Sequence, residues 1–480
     1  MPAVIRAAEH AALRWFGLRA WKEIRMSASE GTEPLEVVEI CAGAGGQTLG
    51  LERAGFRHRL AVELDQQAAS TLKHNLVKFL GYSEEEVEHT VQVGDVADPE
   101  VWKPEEQEPV DLLAGGVPCP PFSIAGKQLG ANDERDLFAW AVELCARMEP
   151  KALLLENVKG LSANRFAGYR QHVLDKLRDY GYIGEWKLLQ ASDFGVSQLR
   201  PRFVLVALLP EYAEYFRWPT PHTEKPPSVG ELLRDLMGSN GWEQDQVDKW
   251  VEMANGIAPT IVGGSKKHGG ADLGPTRAKR AWAELGVDAM GVENEPPKEG
   301  WRPKEGAPGP KLTTAMVARI QGWDDIRPVE IDGPDEVKKF HWEFPGRKTA
   351  VYRQIGNAFP PPVAEALGRS IRNAILKVGE PRSLVENTDA VMDPVYRLLR
   401  GEVRPLTVEQ IIDRLAKTGT QMDQPEVERH LNHLSHDFEL TTATRSNGAT
   451  AYRIGEFKAF IGQEDHQRHD RFAQHRAKIS

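Results

Sequence analysis

A short apolar run that ends in a proline-locked turn constrains this chain more than any other feature. Asp111-Leu112-Leu113-Ala114 has the pattern of a strand buried on both faces of a parallel sheet. Gly115-Gly116-Val117-Pro118-Cys119-Pro120-Pro121-Phe122-Ser123 follows it. Its glycines and prolines exclude helix and strand and hold an extended turn at the strand's C-terminal end, where open α/β sheets keep their chemistry. Cys119 sits in that turn, ahead of the glycine-containing loop 124–130. A thiol so placed is either a presented nucleophile or a small buried cysteine at a strand end, and this stretch alone does not separate the two.

The unit of strand and turn recurs. Residues 35–40 read as a strand, Cys41-Ala42-Gly43-Ala44-Gly45-Gly46 as a glycine turn, and residues 47–54 as a helix stopped by Gly55. That order holds a nucleotide-like cofactor against a helix N-terminus, although one glycine turn is weak evidence. Leu60-Ala61-Val62 is a second strand ending in Glu63 and Leu64, at about the twenty-residue spacing where an acid accepts from ribose hydroxyls. Val91-Gln92-Val93 is a third, ending in Gly94-Asp95-Val96, with an acid placed to accept from an adenine amine. Each acid taken singly is also an ordinary solvated strand end. Residues 152–155 form another apolar strand running into Glu156-Asn157-Val158, and a carboxylate there is costly without a partner or a task. Gln198-Leu199-Arg200-Pro201-Arg202 precedes the apolar run 203–208 and reads as planar donors aimed at a ligand, or as a basic turn in water. Cys145 falls on the apolar face of a helix over 135–148 and reads as core.

A chain of 480 residues predicts two to four domains. Its net charge of −10 confines any nucleic-acid surface to a local basic patch. The three cysteines, Cys41, Cys119 and Cys145, form no CxxC pair, which argues against structural zinc and disulfides and predicts a reducing, cytoplasmic setting. No apolar run approaches a membrane span. The first 26 residues carry Arg6, Arg14, Arg19 and Arg25 in an amphipathic pattern, but Glu9 and Glu23 count against a transit peptide. A poorly ordered extension is expected there, with Met26 as an alternative start.

From Pro210 to about Lys311 apolar periodicity fades while prolines, glycines and tryptophans thicken. Lys266, Lys267, Arg277 and Arg280 form small basic clusters in this stretch, suited to phosphate and groove contacts or equally to plain surface. Order returns at 312–323, and Tyr352-Arg353-Gln354-Ile355-Gly356-Asn357-Ala358-Phe359-Pro360 leads into a helix over 361–377. Beyond Pro381 a separate module begins. A helix over 391–399, a capping box at Thr407-Val408-Glu409-Gln410, a third helix around Val427, Leu431 and Leu434, and a hairpin turned at Ser446-Asn447-Gly448 read as a winged helix. The stretch from Gln463 is polar and His/Arg-rich, and disorder is expected there.

Five blocks in order, EICAGAGG, GGVPCPPFS with IAGKQLG, ENV, QLRPR and YRQIGNAF, resemble the DNA cytosine-5 methyltransferases over residues 35–377. Cys41 stands where that family usually has an aromatic, and Pro120 where Gln is common. The resemblance implies an α/β fold: a Rossmann-like S-adenosylmethionine-dependent methyltransferase sheet, a smaller irregular target-recognition domain and a C-terminal winged-helix-like module. The expected division is an extension over 1–33, a catalytic domain over 34–209, target recognition over 210–344, a return to the catalytic domain over 345–380, the winged-helix-like module over 386–460 and a tail over 461–480.

By resemblance, Cys119 is the thiolate that attacks carbon 6 of cytosine. Glu156 holds N3 and the exocyclic amine, and Arg202 donates to O2, with Arg200 and Gln198 supporting the loop and backbone. Cys41, Ala42, Gly43, Gly45, Gly46, Glu63, Leu64, Asp95, Val96, Pro118 and Asn357 would line the pocket of S-adenosylmethionine. Ser123, Lys127, Gln198, Lys266, Lys267, Arg277 and Arg280 would contact double-stranded DNA, with the target base flipped out. A cognate restriction endonuclease is an implied partner, and the C-terminal module, whose third helix carries carboxylates at its start, is expected to dock a protein or its own chain. The alternatives are a tRNA cytosine-5 methyltransferase and a DNA-binding regulator without catalysis. An amino-group methyltransferase is disfavoured, because Cys119 stands where such enzymes need an acceptor for an amine.

Overall fold

The computed structural model describes residues 34–118, 135–263, 271–324, 342–384 and 393–457. Cys119, Ser123, Lys127, Lys266, Lys267, the expected extension over 1–33 and the expected tail over 461–480 lie outside the described residues.

Seven strands form one sheet: β1 (Leu35–Ile40), β2 (Phe56–Glu63), β3 (Val91–Val93), β4 (Leu112–Gly115), β5 (Ala152–Val158), β6 (Ile183–Gln190) and β7 (Pro201–Leu208), in the order β3-β2-β1-β4-β5-β7-β6. The pairings from β3 through to β5 are parallel, and β7 runs antiparallel to both β5 and β6. Chain order reverses between β1 and β4, which opens a crevice beyond their C-terminal ends. The reversed direction of β7 brings its first residues to the same end of the sheet.

The strands bury both faces by simple alternation. Val38, Ile40, Leu113, Leu153, Leu155 and Leu205 enter one apolar core; Val37, Leu112, Ala114, Leu154, Val204 and Val206 enter the other. On the second face the helix Gly46–Arg53 packs against Pro361–Ile375, the helix expected to return beside the first strand. Gly50 permits the contact, since a Cβ there would lie 2.4 Å from the Ala364 Cβ and 2.5 Å from the Pro361 carbonyl.

The stretch that lacks apolar periodicity holds the helices Val229–Gly238, Gln244–Met253 and Thr276–Glu284, and Thr314–Ile320 follows where order returns. Trp242, Trp250 and Trp282 are core. Trp250 Nε1 donates to the Gly286 carbonyl (3.0 Å) and Trp282 Nε1 to that of Leu273 (3.2 Å), so the indoles are buried without losing a hydrogen bond.

At the C-terminal end, the helices Pro394–Arg400, Val408–Lys417 and Gln424–Asp437 accompany a sheet of order β8-β10-β9, with β8 at Leu406–Thr407, β9 at Phe438–Thr444 and β10 at Thr450–Phe457. The capping box at Thr407 is formed with Gln410. These elements pack on the helix Ala167–Asp179. His172 of that helix stacks on Phe457 (4.5 Å between ring centroids) and its Nδ1 lies 3.1 Å from the Tyr396 hydroxyl. Arg400 pairs with Asp175 and Asp179 at the rim. Burial, with Lys176 and Arg400 nearby, pushes the His172 pKa down to about 3, so the ring stays neutral in this aromatic contact.

Candidate active site

At the end of β1 the chain turns with Cys41 in the left-handed region (φ 55°), an uncommon conformation for a residue with a side chain. The turn is pinned from several sides. The Ala42 N–H donates to the Val62 carbonyl (3.1 Å), the Gly43 N–H to Glu63 Oε2 (2.7 Å), and Trp342 Nε1 to the Ala44 carbonyl (3.0 Å). Glu63 also accepts from the Asp65 N–H (2.7 Å). Burial raises the Glu63 pKa more than these donors lower it.

Around this turn lies a cleft of about 530 Å³, a suitable size for a nucleoside-sized ligand. Cys41, Ala42, Gly43, Gly46, Glu63, Leu64, Asp95, Val96, Pro118 and Asn357 line it. Gly45, expected among them, does not. At φ 94° it precedes the helix, and a Cβ on it would fall 2.8 Å from both Leu72 and Trp342, so its part is close packing behind the turn.

Glu39, Gln47, Arg353 and Gln354 also line the cleft, and the motif reading passes over them. Among the described residues, Gln47 and Gln354 have both amide atoms buried without a hydrogen-bond partner, and Glu39 has Oε1 in the same condition. Buried polar atoms without partners are rare, and these three residues border the cleft with such atoms behind its surface. Gln47, directly after the glycine turn, and Gln354, within YRQIGNAF, were the signals that could have found them.

Beneath the cleft Glu39 Oε2 accepts from Thr48 Oγ1 (2.8 Å) and lies 2.8 Å from His58 Nε2, while His58 Nδ1 lies 2.9 Å from Glu52 Oε1. Burial pushes the His58 pKa down, but hydrogen bonds to Glu39 and Glu52 outweigh it and carry it up to about 9. The ring is therefore a buried imidazolium between two carboxylates at neutral pH.

Glu156 shares this cleft. Its position beside Arg202 follows from strand register. Glu156 of β5 is opposite Val204 of β7, and Val158 is opposite Arg202, so Glu156 and Arg202 are diagonal neighbours on one face. Arg202 Nε lies 2.5 Å from Glu156 Oε1. The contact is ionic rather than an aligned hydrogen bond, since Nε has no geometrically acceptable acceptor. A Cβ on Gly116 would be 3.6 Å from Glu156 Oε2, which places the carboxylate against the backbone that leads to Cys119. Burial lowers the Arg202 pKa, and Glu156 opposes that shift.

Arg200 and Gln198 lie inside the fold, in a supporting position. Arg200, expected among the catalytic residues, is 1% exposed and is not among the residues that line the cleft. Its Nη1 donates to the Ile261 carbonyl (2.5 Å) and Nη2 to the carbonyls of Gly356 (2.7 Å) and Ala358 (2.9 Å), so it is a brace. Gln198, expected to contact DNA, is fully buried. Its Oε1 accepts from the Ile261 N–H (2.9 Å), which fixes the same segment. Arg277 and Arg280 are exposed on the Thr276–Glu284 helix, whereas their neighbour Lys279 pairs with Asp272 (2.9 Å).

A sheet with this strand order, a cleft at its reversal point and a buried carboxylate in that cleft paired with a guanidinium form the frame of a cofactor-binding α/β enzyme. The family model of the C-5 cytosine-specific DNA methylases matches residues 35–373, and the chain belongs to that family. It is 59% identical to the type II methyltransferase M.NaeI of Lentzea aerocolonigenes over 93% of this chain and 100% of that protein. It is 46% identical to the type II methyltransferase M.NgoMIV of Neisseria gonorrhoeae, over 71% of this chain and 98% of that protein. Similarity to M.PspPI of Psychrobacter sp. is 30% identity over 72% of this chain and 80% of that protein. The chain is therefore an S-adenosylmethionine-dependent methyltransferase acting on cytosine carbon 5 in double-stranded DNA. More than a quarter of it has no counterpart in M.NgoMIV. Among the described residues no helix is long and apolar enough to cross a membrane.

Proposed function

We propose that the chain methylates one cytosine within a specific duplex sequence through a covalent adduct of Cys119 at carbon 6, with Glu156 and Arg202 holding the flipped base. The observation that carries this reading is Glu156, which lines the cleft beside Gly116 and is paired with Arg202. Carbon 5 of cytosine is a poor nucleophile. Addition of the Cys119 thiolate to carbon 6 pushes the ring electrons towards carbon 5 and makes it enamine-like. Glu156 faces N3 and the exocyclic amine and keeps N3 protonated, so negative charge does not accumulate on the ring. Arg202 donates to O2, and its charge keeps Glu156 from standing as an isolated buried carboxylate.

Glu63 accepts from the ribose hydroxyls and Asp95 from the adenine amine, while Asn357 adds a further polar group to the cofactor cleft. When bound there, S-adenosylmethionine supplies an electrophilic methyl group on its sulfonium. Once carbon 5 is methylated, loss of its proton and expulsion of the Cys119 thiolate restore the ring and the enzyme. Carbon 6 is stacked inside a duplex, so the cytosine must leave the helix first.

Residues 210–344 read the target sequence on this view, with Arg277 and Arg280 on phosphates. The names of the type II relatives favour DNA as substrate over tRNA, and a companion restriction endonuclease as the biological setting. The C-terminal module, as a winged-helix-like unit, serves its own chain. A duplex with 5-fluorocytosine at the target tests the chemistry, since fluorine cannot leave as a proton does. The intact enzyme should form an adduct that survives denaturation, and Cys119→Ala should form none. Normal turnover by Cys119→Ala would sink the reading.

A further inference from the structure

Arg200 is a buried cation held by main-chain carbonyls from two distant segments. Such a group is costly to bury, and an apolar residue of similar volume would fill the space without the cost of desolvating a charge. What it joins explains its presence. One side of its guanidinium holds Ile261, and the other holds Gly356 and Ala358, the residues flanking Asn357 in the cofactor cleft.

The segment 258–263 is fastened along its length. The Leu199 N–H donates to the Ala258 carbonyl (2.7 Å), Thr260 Oγ1 to the Leu199 carbonyl, and the Ile261 N–H to Gln198 Oε1 (2.9 Å). On its far side Gly263 lies against the cofactor-side helix Lys348–Asn357. A Cβ on Gly263 would be 2.4 Å from Asn357 Oδ1, and one on Gly356 would be 2.5 Å from the Gly263 Cα. Gln321 Nε2 adds bonds to the carbonyls of Ile355 (2.6 Å) and Ala358 (3.0 Å). The segment and the cleft wall thus meet at backbone distance. Arg200 also stands two residues before Arg202, so the strand that carries the base-facing guanidinium starts from the same brace.

We propose that Arg200 is a positioning residue that couples occupancy of the cofactor cleft to recognition of the target DNA. The proposal rests on residues 210–344 being the recognition region. Ligand in the cleft orders Asn357 and its neighbours. Through the Gly356 and Ala358 carbonyls, Arg200 passes that order to Ile261 and the recognition segment behind it. Coupling of this kind is reciprocal, so DNA bound at the recognition region tightens the cleft by the same factor.

The test is a binding cycle on the full chain. Its DNA probe is a duplex carrying the sequence that bisulfite mapping shows the protein to methylate, and its cofactor probe is S-adenosylhomocysteine. DNA affinity is measured with and without S-adenosylhomocysteine for wild type, Arg200→Lys and Thr260→Val. Lysine keeps the charge but cannot span acceptors in both segments. Wild type should bind the duplex about tenfold more tightly with S-adenosylhomocysteine present. Arg200→Lys should bring that ratio to about one while each ligand's separate affinity moves less than about threefold. Thr260→Val, which removes one fastening and leaves the brace, should fall between, and it serves as the arm if Arg200→Lys does not fold. A purely structural arginine would lower both affinities and leave the ratio alone. An unchanged ratio in Arg200→Lys, or in Thr260→Val where that arm stands in, overturns the proposal, as does wild type that methylates the duplex yet shows no ratio. Failure of the underlying reading looks different: replacing residues 210–344 with those of a relative would yield an active enzyme that keeps the original target sequence.

Discussion

Leu434 sits so close over Gly168 that a Cβ on the glycine would fall 2.4 Å from the leucine Cδ2. The two residues belong to the helices Gln424–Asp437 and Ala167–Asp179, so the C-terminal elements are fitted to the sheet-bearing part of the chain at backbone distance.

Gly168→Leu should force this interface apart. Overpacking of a tight contact costs about 1–3 kcal/mol, and the melting temperature should drop accordingly. The residues of the cleft are untouched, so methyl transfer at low temperature should persist. Differential scanning calorimetry with a methylation assay checks both halves. A chain ending at Gly379 should behave in the same direction and keep its salt slope for DNA binding. A clearly shallower slope would mean that the removed module neutralises phosphates.

Glu156→Gln keeps the shape of the side chain and removes its negative charge and its proton. Loss of one such transition-state interaction lowers kcat by about 10²–10³-fold. Affinity for S-adenosylmethionine should change little, because the loss falls on the base. Steady-state kinetics and calorimetric titration of the cofactor separate the two effects, and a variant with wild-type kcat would remove Glu156 from the chemistry.

His58 makes stability depend on alkaline pH. Its folded pKa of about 9 lies above its ordinary value of 6.5, so the folded state binds the proton more tightly. The resulting stabilisation is complete below pH 6.5 and disappears as pH rises through about 9; a shift of that size is worth on the order of 3 kcal/mol. The melting temperature of His58→Gln should sit well below wild type at pH 6 and approach it near pH 10. A pH-independent gap would show that the ring is neutral in the folded protein.

Arg277→Gln and Arg280→Gln should weaken DNA binding and reduce the slope of log affinity against log salt by about one unit for each phosphate no longer neutralised. Specificity among sequences should be unaltered. If neither affinity nor slope moves, the exposed face of the Thr276–Glu284 helix is plain surface.

The sheet was largely legible because its inner strands are apolar on both faces. Residues 35–40 and the runs ending at Glu156 and Leu208 announce themselves in this way. β2 was read only from Leu60, whereas it begins at Phe56. Arg57, His58 and Arg59 look like solvent there, yet Arg57 stacks on Tyr82 and His58 is buried between acids. β6 gives no apolar signal because most of its residues are only half covered. In the cleft, the glycine turn and the strand-end acids are local patterns and could be read directly. That Arg200 is a brace and Arg202 a partner of Glu156 depends on strand register and on segments more than 60 residues away, which spacing in the sequence does not encode.

The cleft is built from both ends of the methylase segment. Gly43 and Glu63 form one side, and Ala350, Arg353, Gln354, Asn357, Ala358 and Phe359 close the other, while Trp342 clasps the first turn through the Ala44 carbonyl. On the ribosome all seven strands emerge before any of those closing residues exist, and domains form in the order in which they are made. A nascent chain thus holds a complete sheet but no finished cofactor cleft. Prematurely terminated chains that stop before residue 350 cannot mark DNA, and the cell meets this activity only in molecules whose synthesis has run almost to the end of the catalytic segment.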